Sequence, residues 1–83
     1  MPVLTLYWRE YCHLCHDMLA QLLALRQELG GDHLFEVEII DVDRDPALEA
    51  QYDELVPVLT ASGRELCHYH LNPAAVRDYL AEN

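Results

Sequence analysis

Cys12 and Cys15 are separated by two residues in the run Tyr11-Cys12-His13-Leu14-Cys15-His16. At that spacing two thiols on the first turn of a helix lie on one face, close enough to join as a disulfide. A sulfur at the start of a helix also meets unpaired backbone N–H groups and the positive end of the helix dipole, which favour the thiolate, the nucleophilic form. The expected chemistry is redox chemistry on sulfur.

Other reactive residues surround the pair. His13 and His16 favour the thiolate when protonated, whereas Glu10 and Asp17 oppose it. All four read equally well as exposed residues at a helix start. Tyr7, Trp8 and Tyr11 are candidates to line a groove beside the sulfur, although Tyr7 also fits ordinary strand packing. Two other chemistries share these residues. Cys12-His13-Leu14-Cys15-His16 satisfies the Cys-x-x-Cys-His pattern of c-type haem attachment, which would make the chain an electron carrier. Cys12, Cys15 and Cys67 with His68 or His70 would make a Cys3His zinc set. Against zinc, strand alternation places Cys67 on the face opposite His68 and His70, where it reads as a small buried hydrophobe beside two solvent-facing histidines.

The elements that must position the cysteines follow from periodicity. Val3 to Trp8 is a short apolar, β-prone run and reads as a mostly buried first strand. Cys15, Met18, Leu19, Leu22, Leu25 and Leu29 recur at helical spacing, predicting a helix over Cys12–Leu29 that Gly30-Gly31 stops. Phe35 to Val42 alternates and then becomes apolar on both sides at Ile39-Ile40, as a central strand would. Asp45-Pro46 supplies an N-cap and a first-turn proline for a short helix over Pro46–Tyr52. Val56 to Thr60, the turn Ala61-Ser62-Gly63-Arg64, and Glu65 to His70 read as a β-hairpin. Asn72-Pro73 caps a last helix, Ala74–Ala81, with Val76, Tyr79 and Leu80 inward. The order is βαβ, a helix, a ββ hairpin and a helix, an α/β domain whose first two strands are parallel. A Cys-x-x-Cys at the first strand-helix junction of such a unit is the thioredoxin-like redox signature.

Composition narrows the classes of function. Eighty-three residues, 52% hydrophobic with three Gly and four Pro, describe one globular domain spanning residues 1–83. Fifteen Asp and Glu face five Arg and no Lys, a net charge of -10, so a phosphate backbone is repelled and nucleic acid is excluded as a partner. The acidity reads as solubility, or as steering of a basic protein partner. Three cysteines suit two functional thiols and a spare in a reducing compartment better than a disulfide-stapled secreted domain. No basic, apolar leader opens the chain and no run approaches the ~20 residues of a membrane span, so a cytoplasmic, soluble protein, expected as a monomer, is the reading.

The residues also resemble a family. Leu4-Thr5-Leu6-Tyr7, Arg9 three residues before the first cysteine, Cys12-His13-Leu14-Cys15, Asp41-Val42-Asp43-Arg44-Asp45-Pro46, Val56-Pro57-Val58 and Gly63-Arg64-Glu65-Leu66 look like the small bacterial glutaredoxin-like proteins with a Cys-His-Leu-Cys centre. The resemblance covers nearly the whole chain. It implies a minimal thioredoxin fold with strand order 2-1-3-4, the first and third helices on one face and the second on the other. Catalytic roles follow by match: Cys12 the nucleophile, Cys15 the resolving thiol. The implied activity is thiol-disulfide exchange on a disulfide-containing protein or a glutathione-linked substrate, with no bound cofactor and with glutathione or an unidentified reductase recycling the dithiol. Pro57 matches a cis-proline that faces the dithiol and leaves the Val56 backbone free for an extended substrate. Arg9 matches the basic residue that meets a glutathione carboxylate. The Gly-Gly and Asp that hold the γ-glutamyl end of glutathione do not appear; Cys67-His68-Tyr69-His70 stands there instead. A module that keeps this fold without catalysis is the remaining alternative.

Overall fold

Leu4 and Leu6 are wholly buried on one side of strand β1 (Val3–Trp8), while Thr5 and Tyr7 are half-buried on the other. A strand apolar on both sides needs a covering layer on each face. In the computed structural model, which describes residues 1–82, β1 is accordingly internal to the sheet. It pairs parallel with β2 (Glu36–Asp41) and antiparallel with β3 (Val58–Ala61), which pairs antiparallel with β4 (Arg64–His68). The sheet order is β2-β1-β3-β4. This is the four-stranded mixed sheet that the resemblance implied.

Helix α1 (His13–Leu29) connects the parallel strands, α2 (Pro46–Tyr52) follows a single 3-10 turn at Val42–Arg44, and α3 (Pro73–Glu82) ends the described chain. Met18, Leu22 and Leu25 of α1 and Val76 and Tyr79 of α3 pack with Leu4, Leu6, Phe35, Leu59, Ala61 and Cys67 into the main core. On the face carrying Tyr7, α2 closes the sheet through Tyr52, whose ring stacks on Tyr7 with centroids 4.4 Å apart. A second cluster forms where α1 begins: Cys15, Val42 and Val56, with Tyr7, Trp8, Cys12, Leu48 and Tyr52 against them.

Several boundaries differ from the sequence reading, each for a local reason. Cys12 is the N-cap of α1, and the helix proper starts at His13. Strand β3 begins two residues later than expected because Val56-Pro57, a cis peptide whose proline has no N–H to give a ladder, precedes it. Strand β4 stops at His68, since Tyr69 turns to φ 63°, so His70 lies beyond the strand whose alternation was used to place it. The hairpin turn has positive φ at both central residues, Ser62 (53°) and Gly63 (74°), the twist that a two-residue hairpin favours. The largest departure is β2. Its apolar Ile39-Ile40 pair reads as a central strand, yet β2 is an outer strand of the sheet and Ile39 is 42% exposed.

Candidate functional site

Cys12 holds an extended conformation (φ -90°, ψ 111°) and caps α1 with both of its acceptors. Its sulfur accepts from the Cys15 N–H at 3.2 Å, and its carbonyl accepts from the N–H groups of Cys15 (3.1 Å) and His16 (3.2 Å). A backbone donor aimed at the sulfur stabilises negative charge there, as the helix-start placement leads one to expect. Cys12 and Cys15 are joined as a disulfide with their Cα atoms 5.2 Å apart. Cys12 is half-buried, whereas Cys15, one turn deeper, has no exposed surface. In the reduced protein, a small alkylating reagent should therefore modify Cys12 at least about tenfold faster than Cys15. Peptide mapping after a short exposure checks this, and faster labelling of Cys15 would reverse the two roles.

Arg9 is tied to two other chain segments. Its Nε donates to the Asp43 carboxylate at 2.8 Å, one Nη donates to the Asp53 carbonyl at 2.8 Å, and the other Nη pairs with the Asp53 carboxylate. The hydrogen bonds to Asp43 and Asp53 hold the guanidinium firmly protonated. Its side chain is only 14% exposed. The clamp joins the turn before Cys12 to the 3-10 turn after β2 and to the loop after α2. The resemblance assigned Arg9 to a glutathione carboxylate; here its donors are engaged by two carboxylates of the chain itself. Sequence reasoning missed these partners because they lie 34 and 44 residues away. Asp43 was visible only within the Asp41–Pro46 motif.

The loop after α2 carries Val56 to the cluster containing Cys15, with Pro57 fully buried next to it. It is pinned from several sides. The Tyr69 hydroxyl donates to the Glu54 carbonyl at 2.8 Å, the Tyr69 N–H donates to the Pro57 carbonyl at 2.9 Å, and the Leu55 N–H donates to the Tyr52 carbonyl at 2.8 Å. Among the described residues these ties pass over Val56. The positive φ of Tyr69 is what brings both its N–H and its hydroxyl to this loop, a role that the sequence did not signal.

His16 packs its ring on Trp8 (centroids 4.4 Å) and bonds through Nε2 to the Glu10 carbonyl at 2.6 Å, which braces the turn in front of Cys12. His13 is exposed and approaches Asp17 at 3.6 Å. Tyr11 is 79% exposed. Tyr7 sits against Tyr52 beside Cys15, and burial with the nearby Tyr7 pushes the Tyr52 hydroxyl above its ordinary value.

Cys67 belongs to the main core and is a free thiol. His68 points outward and donates from Nδ1 to Glu65 at 2.9 Å. Among the described residues, no three His, Cys, Asp or Glu side chains gather as metal ligands. Burial pushes the Cys67 thiol up, partly countered by a backbone hydrogen bond from Asn72. A thiol whose folded value is raised loses its proton in the unfolded chain first. Its contribution to stability is thus complete below the unfolded value of about 8.5 and is lost as pH rises through the folded value. Stability should fall as pH rises above that unfolded value, and a Cys67→Ala variant should show a shallower fall in urea titrations at alkaline pH. An unchanged pH slope would refute the assignment.

The profile of the Glutaredoxin-like domain (DUF836) family matches residues 3–81. The solution structure of protein Ne2328 from Nitrosomonas europaea superposes with a TM-score of 0.80 at 39% identity, covering 94% of this chain and 89% of that one. The X-ray structure of XcR50 from X. campestris gives 0.69 at 36% identity, covering 96% and 97%. Rv0508 of Mycobacterium tuberculosis, described as uncharacterized, is 28% identical over 99% of this chain and 86% of its own length. Oxidized mitochondrial thioredoxin 3 from Saccharomyces cerevisiae matches in fold, with a TM-score of 0.61 at 19% identity over 99% of this chain and 78% of that one. No helix among the described residues is long and apolar enough to cross a membrane. With its family's profile running from the first residue of β1 almost to the end of α3, and the cysteine pair at the β1–α1 junction of a thioredoxin-like sheet, the chain belongs to the Glutaredoxin-like domain (DUF836) family.

Proposed function

We propose that the protein is a thiol-disulfide oxidoreductase that reduces or exchanges disulfides in a protein substrate. The observation that carries this reading is the asymmetry of the pair. Cys12 is the outer sulfur and receives a helix-start N–H, while Cys15 is buried at disulfide distance behind it. In the reducing direction the Cys12 thiolate attacks one sulfur of the substrate disulfide, forming a mixed disulfide and expelling the other sulfur as a thiolate that takes up a proton. The Cys15 thiol gives up its proton and attacks the Cys12 sulfur. The second substrate thiol leaves with a proton, and the Cys12–Cys15 disulfide remains. Two electrons and two protons have passed to the substrate; an external thiol or dithiol reductant restores the pair.

Val56 supports substrate docking by its place next to Cys15, with the pinned loop holding it there. Glutathione fits less well than a protein disulfide, because Arg9 is committed to Asp43 and Asp53 and the chain is strongly acidic. The chemistry suits a reducing compartment such as the cytoplasm. A Cys15→Ser variant tests the whole reading: with the resolving thiol gone, the mixed disulfide on Cys12 should accumulate. Mass spectrometry of the protein recovered from cell lysate should find an adduct on Cys12, a protein chain rather than the tripeptide mass of glutathione. Absence of any Cys12 adduct, together with no reduction of hydroxyethyl disulfide by the wild type, would leave a fold without the activity.

A further inference from the structure

A groove of about 530 Å³ lies along the β2 side of the dithiol turn. Its apolar lining is Trp8, Ile39, Ile40 and Leu48; its charged lining is Glu10, Asp41 and Asp45 with Arg44. We propose that this groove docks an extended, positively charged segment of a disulfide-bearing client protein, seating an apolar side chain against Trp8 and Ile39 while Lys or Arg residues meet the three carboxylates. The proposal rests on the exchange reading above and names the class of substrate.

Four observations converge on it. First, the groove is continuous with the redox site: Trp8 and Leu48 also pack on the cluster that contains Cys15, and Cys12 follows Glu10 by two residues. A client whose cysteine reaches Cys12 must run its neighbouring residues near this wall. Second, among the described residues β2 pairs only with β1, so the outer edge of the sheet here offers unpaired backbone groups on which an extended chain can lie. Third, Ile39 is 42% exposed on that edge, an apolar side chain open to solvent over a large part of its surface. Fourth, the charge of the groove is predominantly negative. Three carboxylates face one guanidinium, and Arg44 itself lies 3.8 Å from Asp41. Arg9 is already neutralised by Asp43 and Asp53, and the whole chain carries a net charge of -10, so the long-range field adds to the local one. A cationic segment is attracted, and an anionic one is repelled.

Trp8 is the chain's one tryptophan and lines the groove, so its fluorescence reports occupancy directly. The oxidised protein is titrated with a cysteine-free peptide of about eight residues, alternating Lys or Arg with apolar residues, and with the same peptide carrying Glu in place of each cation. The cationic peptide should change Trp8 emission saturably and bind at least about tenfold more tightly than its Glu counterpart. Raising salt from about 20 to about 200 mM should weaken it by about tenfold. Glu10→Gln combined with Asp45→Asn should weaken it about fivefold; Asn is chosen because it keeps an oxygen for the Ala47 N–H that Asp45 caps at 2.9 Å.

Equal binding of both peptides, no saturable change, or a Trp8 shift that follows protein concentration without peptide would each overturn the proposal, the last by placing a second copy of the chain in the groove. The titration uses no thiol chemistry. A protein that reduces hydroxyethyl disulfide but does not distinguish the peptides refutes the groove alone. One that binds the cationic peptide but reduces no disulfide refutes the exchange reading.

Discussion

Replacing Cys12 by Ser should lower kcat/KM for disulfide reduction by at least about a thousandfold, because an alcohol remains protonated where a thiol at a helix start ionises. The Cys15 thiol cannot take over. It is fully buried behind Cys12, and reaching a substrate disulfide would require the first turn of α1 to open. The loss must be separated from any loss of structure, so melting is compared with that of the wild type in reducing buffer, where neither protein has the bond. The substitution removes no core contact of a large side chain, and the two Tm values should agree within about 3 °C. A Cys12→Ser protein that still turned over, or a Cys15→Ser protein that failed even at a single attack, would contradict the direction of the reaction.

Replacing Arg9 by Gln should lower Tm by about 6–12 °C. The guanidinium makes charge-assisted hydrogen bonds to Asp43 and Asp53 and one to the Asp53 carbonyl, and its removal leaves two carboxylates without their counter-charge. Because the Asp53 side chain is 58% exposed, part of that attraction is screened by water, and the clamp is worth about 1.5 kcal/mol. In a domain of this size each kcal/mol moves Tm by roughly 4–8 °C. Lys at position 9 should recover only part of the loss, since a single ammonium cannot span both aspartates and the carbonyl as a planar fork does. Removing the stranded charge as well, in an Arg9→Gln, Asp53→Asn double variant, should destabilise by less than the two single changes summed. If Arg9 served a glutathione carboxylate instead, Tm would be unchanged and only KM for glutathione would rise. Calorimetry and kinetics on the same samples separate these outcomes.

Arg9 shows what a residue's identity leaves out: a basic residue three places before the first cysteine does not by itself disclose that Asp43 and Asp53 of its own chain hydrogen-bond it. Cys67 shows the opposite case. Its placement on the inward side of the fourth strand, away from His68, was legible from alternation, and it packs into the main core.

What the amino-acid order determined by itself was whatever depends on neighbours within about one helical turn or one pleat: the dithiol at the strand-helix junction, the apolar stripe of α1, the Asp45-Pro46 start of α2 and the Gly63 hairpin. Those signals work through short-range hydrogen bonds and side-chain spacing, which survive in any tertiary setting. The tertiary structure alone decided the rest. It opened a groove beside β2, whose outer place the family resemblance implied but the local run did not, and made the doubly apolar Ile39-Ile40 step one wall of it. It brought Asp43 and Asp53 to Arg9, and it turned Tyr69 into left-handed backbone to tie down the Val56 loop. Each of these joins residues at least a dozen positions apart or depends on which element lies outermost. That information resides in how the layers pack, not in any local run of residues.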